Sequence, residues 1–172
     1  MAGIKHAKVA TGQQAEIVTD DWNAEHTIDD ASIPTSKLVT APLGYTLHVQ
    51  ALTSSPSDGA TIYFGQLPKA PTSTANISKV YVSKAGTIKI AEIRCYSGTA
   101  GTAESWSLYI RKNNTTDTLI ATLAVSASER VFSNTSLSIA MAAGDYFEIK
   151  SVNPTWSTNP LTTIFGGYVY LE

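Results

Sequence analysis

The chain has 172 residues and 43% hydrophobic content, enough to bury one sizeable core, so a single folded domain with an extension is expected. Charged residues make up 15% and the net charge is −2, which leaves no basic surface to neutralise a run of phosphates and excludes nucleic acid as a partner. A single cysteine, Cys95, rules out an intramolecular disulfide framework and a thiolate metal site, and no apolar run approaches the roughly 20 residues needed to span a bilayer.

Residues 1–40 hold two of the three histidines, a cluster of acids from Asp20 to Asp30, and few large apolar groups. Such a stretch does not bury enough surface to fold alone and is expected as an extended N-terminal arm. Trp22 and Ile28 are its apolar anchors, suited to plug a partner's surface. The start, MAGIKHAKVATGQQ, lacks the apolar centre of a secretory signal, so synthesis in the cytoplasm is expected. The segment Lys5–His6, followed by Trp22, Asn23, Ala24, Glu25, His26 and Thr27, resembles the N-terminal segment of many tailed-bacteriophage fibre and other virion proteins, where a lysine-histidine start leads to a W-N-A-[DE]-H-T signature. The resemblance implies that Lys5, His6, Trp22, Asn23, Glu25 and His26 attach the chain to a phage particle, and the anchor Ile28 beside them joins the expected attachment residues.

Residues 31–44 carry Pro34, Pro42 and Gly44 without a sustained period and read as a linker, so the domain is expected to occupy 41–172. Thr46–Leu52 alternates Leu47, Val49 and Ala51 against His48 and Gln50, the period of a half-buried strand. A turn at 56–59 leads to a short strand at 61–65, and the Pro-containing stretch 66–76 is a surface connection. A strand at 77–83 points Val80 and Val82 inward. Between Thr87 and Tyr96 the phase shifts, with Ile88 and Ile90 on one parity and Ile93 and Cys95 on the other. Either a bulge resets the register or both faces are buried, and double burial would place Ile93 and Cys95 at a subunit interface.

Ser105–Arg111 and Thr118–Val125 form a hairpin about the KNNTTD turn, with Trp106, Leu108 and Ile110 inward from the first arm and Leu119, Ala121, Leu123 and Val125 from the second. Residues 126–134 read as polar, with Val131 and Phe132 as their apolar contact. Ser136–Lys150 alternates, breaks at Ala142–Asp145 and alternates again, which predicts a second hairpin that points Phe147 and Ile149 inward and Tyr146, Glu148 and Lys150 outward. A loop carrying Trp156 precedes the last strand, Thr163–Leu171, where Gly166 and Gly167 mark the close approach of a backbone or ring.

Eight to ten short strands without a helix predict an all-β sandwich or barrel. The run from Leu137 to Ile149, with its Gly144–Asp145 turn, and the terminal FGGYVYL from Phe165 are similar to the last strands of the C1q and tumour-necrosis-factor jelly-roll family. That resemblance implies a jelly-roll β-sandwich assembled as a homotrimer. Ile93, Cys95, Tyr146, Phe165, Tyr168 and Tyr170 are the candidate interface residues.

No chemistry emerges. His6 and His26 lie in the arm, His48 lies on a polar strand face, and the carboxylates are scattered, so neither a nucleophile-histidine-acid set nor a pair of acids flanking one cleft is formed. No cofactor or metal is expected, and the protein is not expected to be an enzyme. Tyr81, Tyr109 and Trp156 are candidates to stack on sugar rings of a host-surface glycan. The expected function is therefore a structural protein of a phage virion, a trimeric fibre or spike whose arm binds other virion proteins and whose knob is exposed. A head fibre or decoration protein without a receptor is the alternative; a polysaccharide depolymerase and a lectin-like module with no virion role are further ones.

Overall fold

The computed structural model describes residues 44–66, 70–125 and 127–172. The alternating segments form ten strands: β1 (Tyr45–Thr53), β2 (Thr61–Phe64), β3 (Val80–Tyr81), β4 (Gly86–Ser97), β5 (Glu104–Lys112), β6 (Thr116–Val125), β7 (Glu129–Asn134), β8 (Ile139–Met141), β9 (Tyr146–Val152) and β10 (Thr163–Leu171). They make two five-stranded sheets. Sheet A runs β1-β10-β4-β7, with β8 also on β4; sheet B runs β2-β9-β5-β6, with β3 also on β9. All pairs are antiparallel. Apart from β5–β6, strands adjacent in space are distant in sequence, because the chain passes repeatedly from one sheet to the other. This is the double Greek key of a jelly roll.

The inward-facing residues of both sheets meet in one core. Its centre is aromatic: the Trp106 ring meets Phe132, Trp156 and Phe165 edge-on at centroid distances of 5.7, 5.1 and 5.6 Å. A buried indole needs a partner for its N–H. Here Nε1 donates to Ser151 Oγ at 2.7 Å, and that hydroxyl donates onward to Asn153 at 2.8 Å.

Several segments depart from the sequence pattern. The expected 136–150 hairpin is not one. Gly144 does take a positive φ of 87°, and the Asp145 carboxylate accepts from the Ala142 N–H at 2.8 Å, so the chain reverses where predicted. The reversal carries it between sheets, however: β8 pairs with β4 and β9 with β2, β3 and β5. Turn chemistry specifies that a chain bends, not which neighbours its arms find.

In β4 the phase shift is a bulge. Tyr170 pairs with Ile90 but Leu171 with Ile88, so Lys89 is the extra residue, and from Ala91 onward a single parity is buried. A second bulge in β6, opposite Leu108 and Tyr109, turns Leu119 out at 43% exposure and buries Ile120 at 3%. Leu119 was expected inward; Ala121 and Leu123 do pack on the core. Residues 129–134, read as polar, form β7 and send Phe132 into the core. The expected 77–83 strand shortens to Val80–Tyr81, although Val80 and Val82 are both buried.

Candidate functional site

The sandwich presents two outer faces of different chemistry. On sheet A, Leu52, Ile164 and Tyr96 lie side by side across three strands, and Val131 sits opposite Arg94 one row further in. All four are exposed. Gly166 leaves open space above this face, producing a shallow hollow of about 200 Å³ lined by Arg94, Tyr96, Ile164 and Gly166. His48, Tyr168 and Glu92 form the next row, then Thr46, Tyr170 and Ile90. Arg94 and Glu129 pair at 3.1 Å at the margin, too exposed to contribute much stability.

Of the candidate interface residues, Tyr168 and Tyr170 lie on this face, half-buried. Ile93, Cys95 and Phe165 point the other way, into the core, at no more than 1% exposure. The bulge at Lys89 explains this: it gives β4 one dry face instead of two, so these side chains pack within the domain and present nothing to a neighbouring copy. Burial pushes the Cys95 thiol up to about 11, against the pull of the Arg130 guanidinium beside it. Tyr146 belongs to the opposite sheet. The six residues are therefore not brought together.

Sheet B's outer face is polar and aromatic. Tyr63, Lys150, Tyr109 and Leu119 form one row, and Glu148, Arg111 and Asp117 another. Asp117 accepts from Arg111 Nη1 at 2.7 Å and from Lys150 Nζ at 2.5 Å. Burial pushes the Asp117 carboxyl up, but these two partners outweigh it and hold the group below its ordinary value. Lys150 lies 5.5 Å from the Tyr109 ring centroid and Arg111 5.9 Å from that of Tyr63, so both rings are flanked by cations of the protein itself.

At the other end of this face Tyr81 and Tyr146 meet, centroids 5.7 Å apart and planes at 56°. Lys79 Nζ stands 4.7 Å from the Tyr146 centroid, and the Tyr146 hydroxyl donates to Asn76 Oδ1 at 2.5 Å. Beneath them lies Glu148, expected outward in solvent but 0% exposed. Its carboxylate accepts three consecutive backbone N–H groups, from Asn76 at 2.7 Å, Ile77 at 3.1 Å and Ser78 at 2.8 Å. These bonds clip the connection preceding β3 across the sheet face and replace the water that a buried charge gives up. Asn76 takes a φ of 74°, which asparagine tolerates better than most residues. Next to the corner, Asp145 is held down at about 2 by the Ala142 N–H, Asn113 and Lys112.

Tyr81, a candidate sugar contact, is thus an exposed ring, and Tyr109 is half-buried beside Lys150. Trp156 is not on the surface. It caps the core against Trp106, and its Nε1 donates to Pro56 O at 2.9 Å, because covering the end of the sandwich buries most of the indole while its N–H stays bonded. Lys79, Asn76 and the clipping role of Glu148 were missed by sequence reasoning; an outward-parity glutamate carries no mark of what will lie over it. Lys5, His6, Trp22, Asn23, Glu25, His26 and Ile28 lie outside the described residues.

No protein-family model matches the chain, and no curated protein matches it. Among solved structures, the C-terminal CBM6 of LamC, a laminarinase from Zobellia galactanivorans, is similar at 14% identity and a TM-score of 0.34, over 70% of this chain and 98% of that one. The infectious bursal disease virus Gx strain structure aligns at 13% identity and a TM-score of 0.38, over 74% and 31%. The carbohydrate-binding module CBM6cm-2 of Cellvibrio mixtus lichenase 5A aligns at 16% identity and a TM-score of 0.33, over 69% and 94%. Likenesses this distant carry nothing about function; the jelly roll stands on the strand connectivity itself.

Proposed function

We propose that this protein is a non-enzymatic structural component of a tailed-phage particle, a homotrimer whose arm, residues 1–40, binds other virion proteins and whose jelly-roll knob is exposed. The observation that carries the assembly is the outer face of sheet A. An antiparallel sheet with one face toward water alternates apolar-in and polar-out, yet here Leu52, Tyr96, Val131 and Ile164 gather on the outside. Contiguous exposed apolar groups rimmed by polar ones mark an interaction surface. A heterologous contact that closes after three copies removes this surface from water and gives the arms an avidity that one copy lacks. The virion location is supported by the resemblance of Lys5–His6 and Trp22–Thr27 to the phage N-terminal segment.

Light scattering at micromolar concentration tests the assembly. The wild type should run as a trimer, and Ile164→Lys combined with Tyr96→Asp should run as a folded monomer; a monomeric wild type would sink the proposal. Deleting residues 1–30 should leave a folded trimer that no longer enters particles. Labelling the knob on intact virions separates a tail fibre from a head fibre or decoration protein. Release of reducing ends from a host polysaccharide would favour the depolymerase instead.

A further inference from the structure

The corner formed by Tyr81 and Tyr146 sets an exposed aromatic ring beside an ammonium and an amide. Tyr81 is 59% exposed, the largest such value for an aromatic side chain among the described residues. The other cations of sheet B's outer face, Arg111 and Lys150, share the Asp117 carboxylate. Lys79 pairs with none among the described residues and stands over the Tyr146 ring instead. Asn76 spends its Oδ1 on the Tyr146 hydroxyl, which leaves its amide hydrogens free to donate. Because Glu148 holds the backbone of Asn76, Ile77 and Ser78, these groups are fixed before any ligand arrives.

We infer that this corner binds a carboxylated sugar residue, its ring stacked on Tyr81, its carboxylate on Lys79 Nζ and a hydroxyl on the Asn76 amide. Each feature selects part of that ligand. A flat exposed ring matches the C–H face of a pyranose. An ammonium without an acidic partner matches one carboxylate, whereas a polyphosphate backbone would need a row of cations that this face lacks. The neighbouring Lys112–Asp145 pair at 3.0 Å neutralises itself and adds no second anion site. The inference rests on the knob being exposed on the particle, but binding is measured on the isolated full chain and so stands or falls separately from assembly and incorporation.

The test is calorimetric titration of the full-length protein with sialyllactose, with trigalacturonate and with lactose as the neutral comparison. At least one carboxylated sugar should saturate in the millimolar range and bind about tenfold tighter than lactose, the worth of one charge-assisted hydrogen bond. Lys79→Met should reduce that sugar to the lactose level, Lys79→Arg should restore most of the preference, and Tyr81→Ala should abolish binding of both kinds. Near-ultraviolet circular dichroism confirms that each variant is folded. Carboxylated sugars that bind no tighter than lactose, an unchanged preference in Lys79→Met, or no saturation by either carboxylated sugar would each overturn the inference.

Discussion

Glu148→Gln isolates the part of the structure that holds sheet B's strap in place. Glutamine keeps the shape and one acceptor oxygen, so the bonds from Ile77 and Ser78 at 3.1 and 2.8 Å survive as neutral ones, while the Asn76 N–H at 2.7 Å from Oε2 then faces an NH2 group. An orphaned buried N–H costs about 1–3 kcal/mol, and downgrading two charge-assisted bonds costs about 1 kcal/mol each. Removing a buried charge returns part of its desolvation penalty, which leaves a net loss of about 2–3 kcal/mol. Arg111, opposite Glu148 across β5 and β9, keeps Asp117 and is not stranded. For a domain of this size the loss lowers Tm by about 10 °C. Urea denaturation gives the free energy directly, and hydrogen exchange at Asn76, Ile77 and Ser78 should accelerate selectively in the variant. A loss below about 0.5 kcal/mol, the range of an ordinary surface substitution, would refute the reasoning.

Other substitutions probe separate features. Gly167→Ala should destabilise by about 1–3 kcal/mol, because a Cβ there runs into the Glu92 carbonyl oxygen and lies 2.8 Å from Ile93 Cα, whereas Gly166→Ala meets nothing within 4 Å and should be close to neutral by thermal unfolding. Asp145 is lowered from 3.8 to about 2, so its contribution to stability is present above about pH 4 and disappears as the pH falls through about 2. The stability gap between wild type and Asp145→Asn, followed by urea denaturation from neutral to acid pH, should close over that window. Cys95, buried and with its thiol near 11, should not react with an aromatic disulfide reagent at pH 8 in the native protein but should titrate fully in guanidinium.

Much of the sandwich is written in period-2 alternation: Leu47, Val49 and Ala51 in β1 and Thr163–Leu171 as β10 are visible without coordinates. What alternation omits is pairing. Ser136–Lys150 reads as a hairpin because local order is the same whether the two arms meet each other or opposite sheets, and only the distant partners β4 and β5 decide. Bulges hide for a related reason. The phase break at Ile88–Cys95 was visible, yet a second dry face and an extra residue look alike until Tyr170 is seen opposite Ile90. In β6 the cost was the exchange of Leu119 for Ile120. At the candidate site Tyr81 was legible as an outward aromatic, while Trp156, equally polar in its surroundings along the chain, is drawn inward by Trp106, a neighbour 50 positions away. Glu148 depends on three amides some 70 residues earlier, beyond the reach of any local pattern.

The last strand of the sandwich in chain order is also an inner one. Because β10 lies between β1 and β4, a ribosome that has completed every strand but this one holds a chain whose sheet A is split, with two long edges unpaired and the Trp106 ring missing its Phe165 contact. Such a domain closes only after β10 has emerged, through pairings such as Tyr45 with Leu171 that span the whole sandwich and are slow to form. A prematurely terminated chain lacking β10 leaves open strand edges for chaperones and proteases, and it lacks Ile164, Tyr168 and Tyr170 from the outer face of sheet A. The topology thus makes closure of the sandwich depend on β10 having been made.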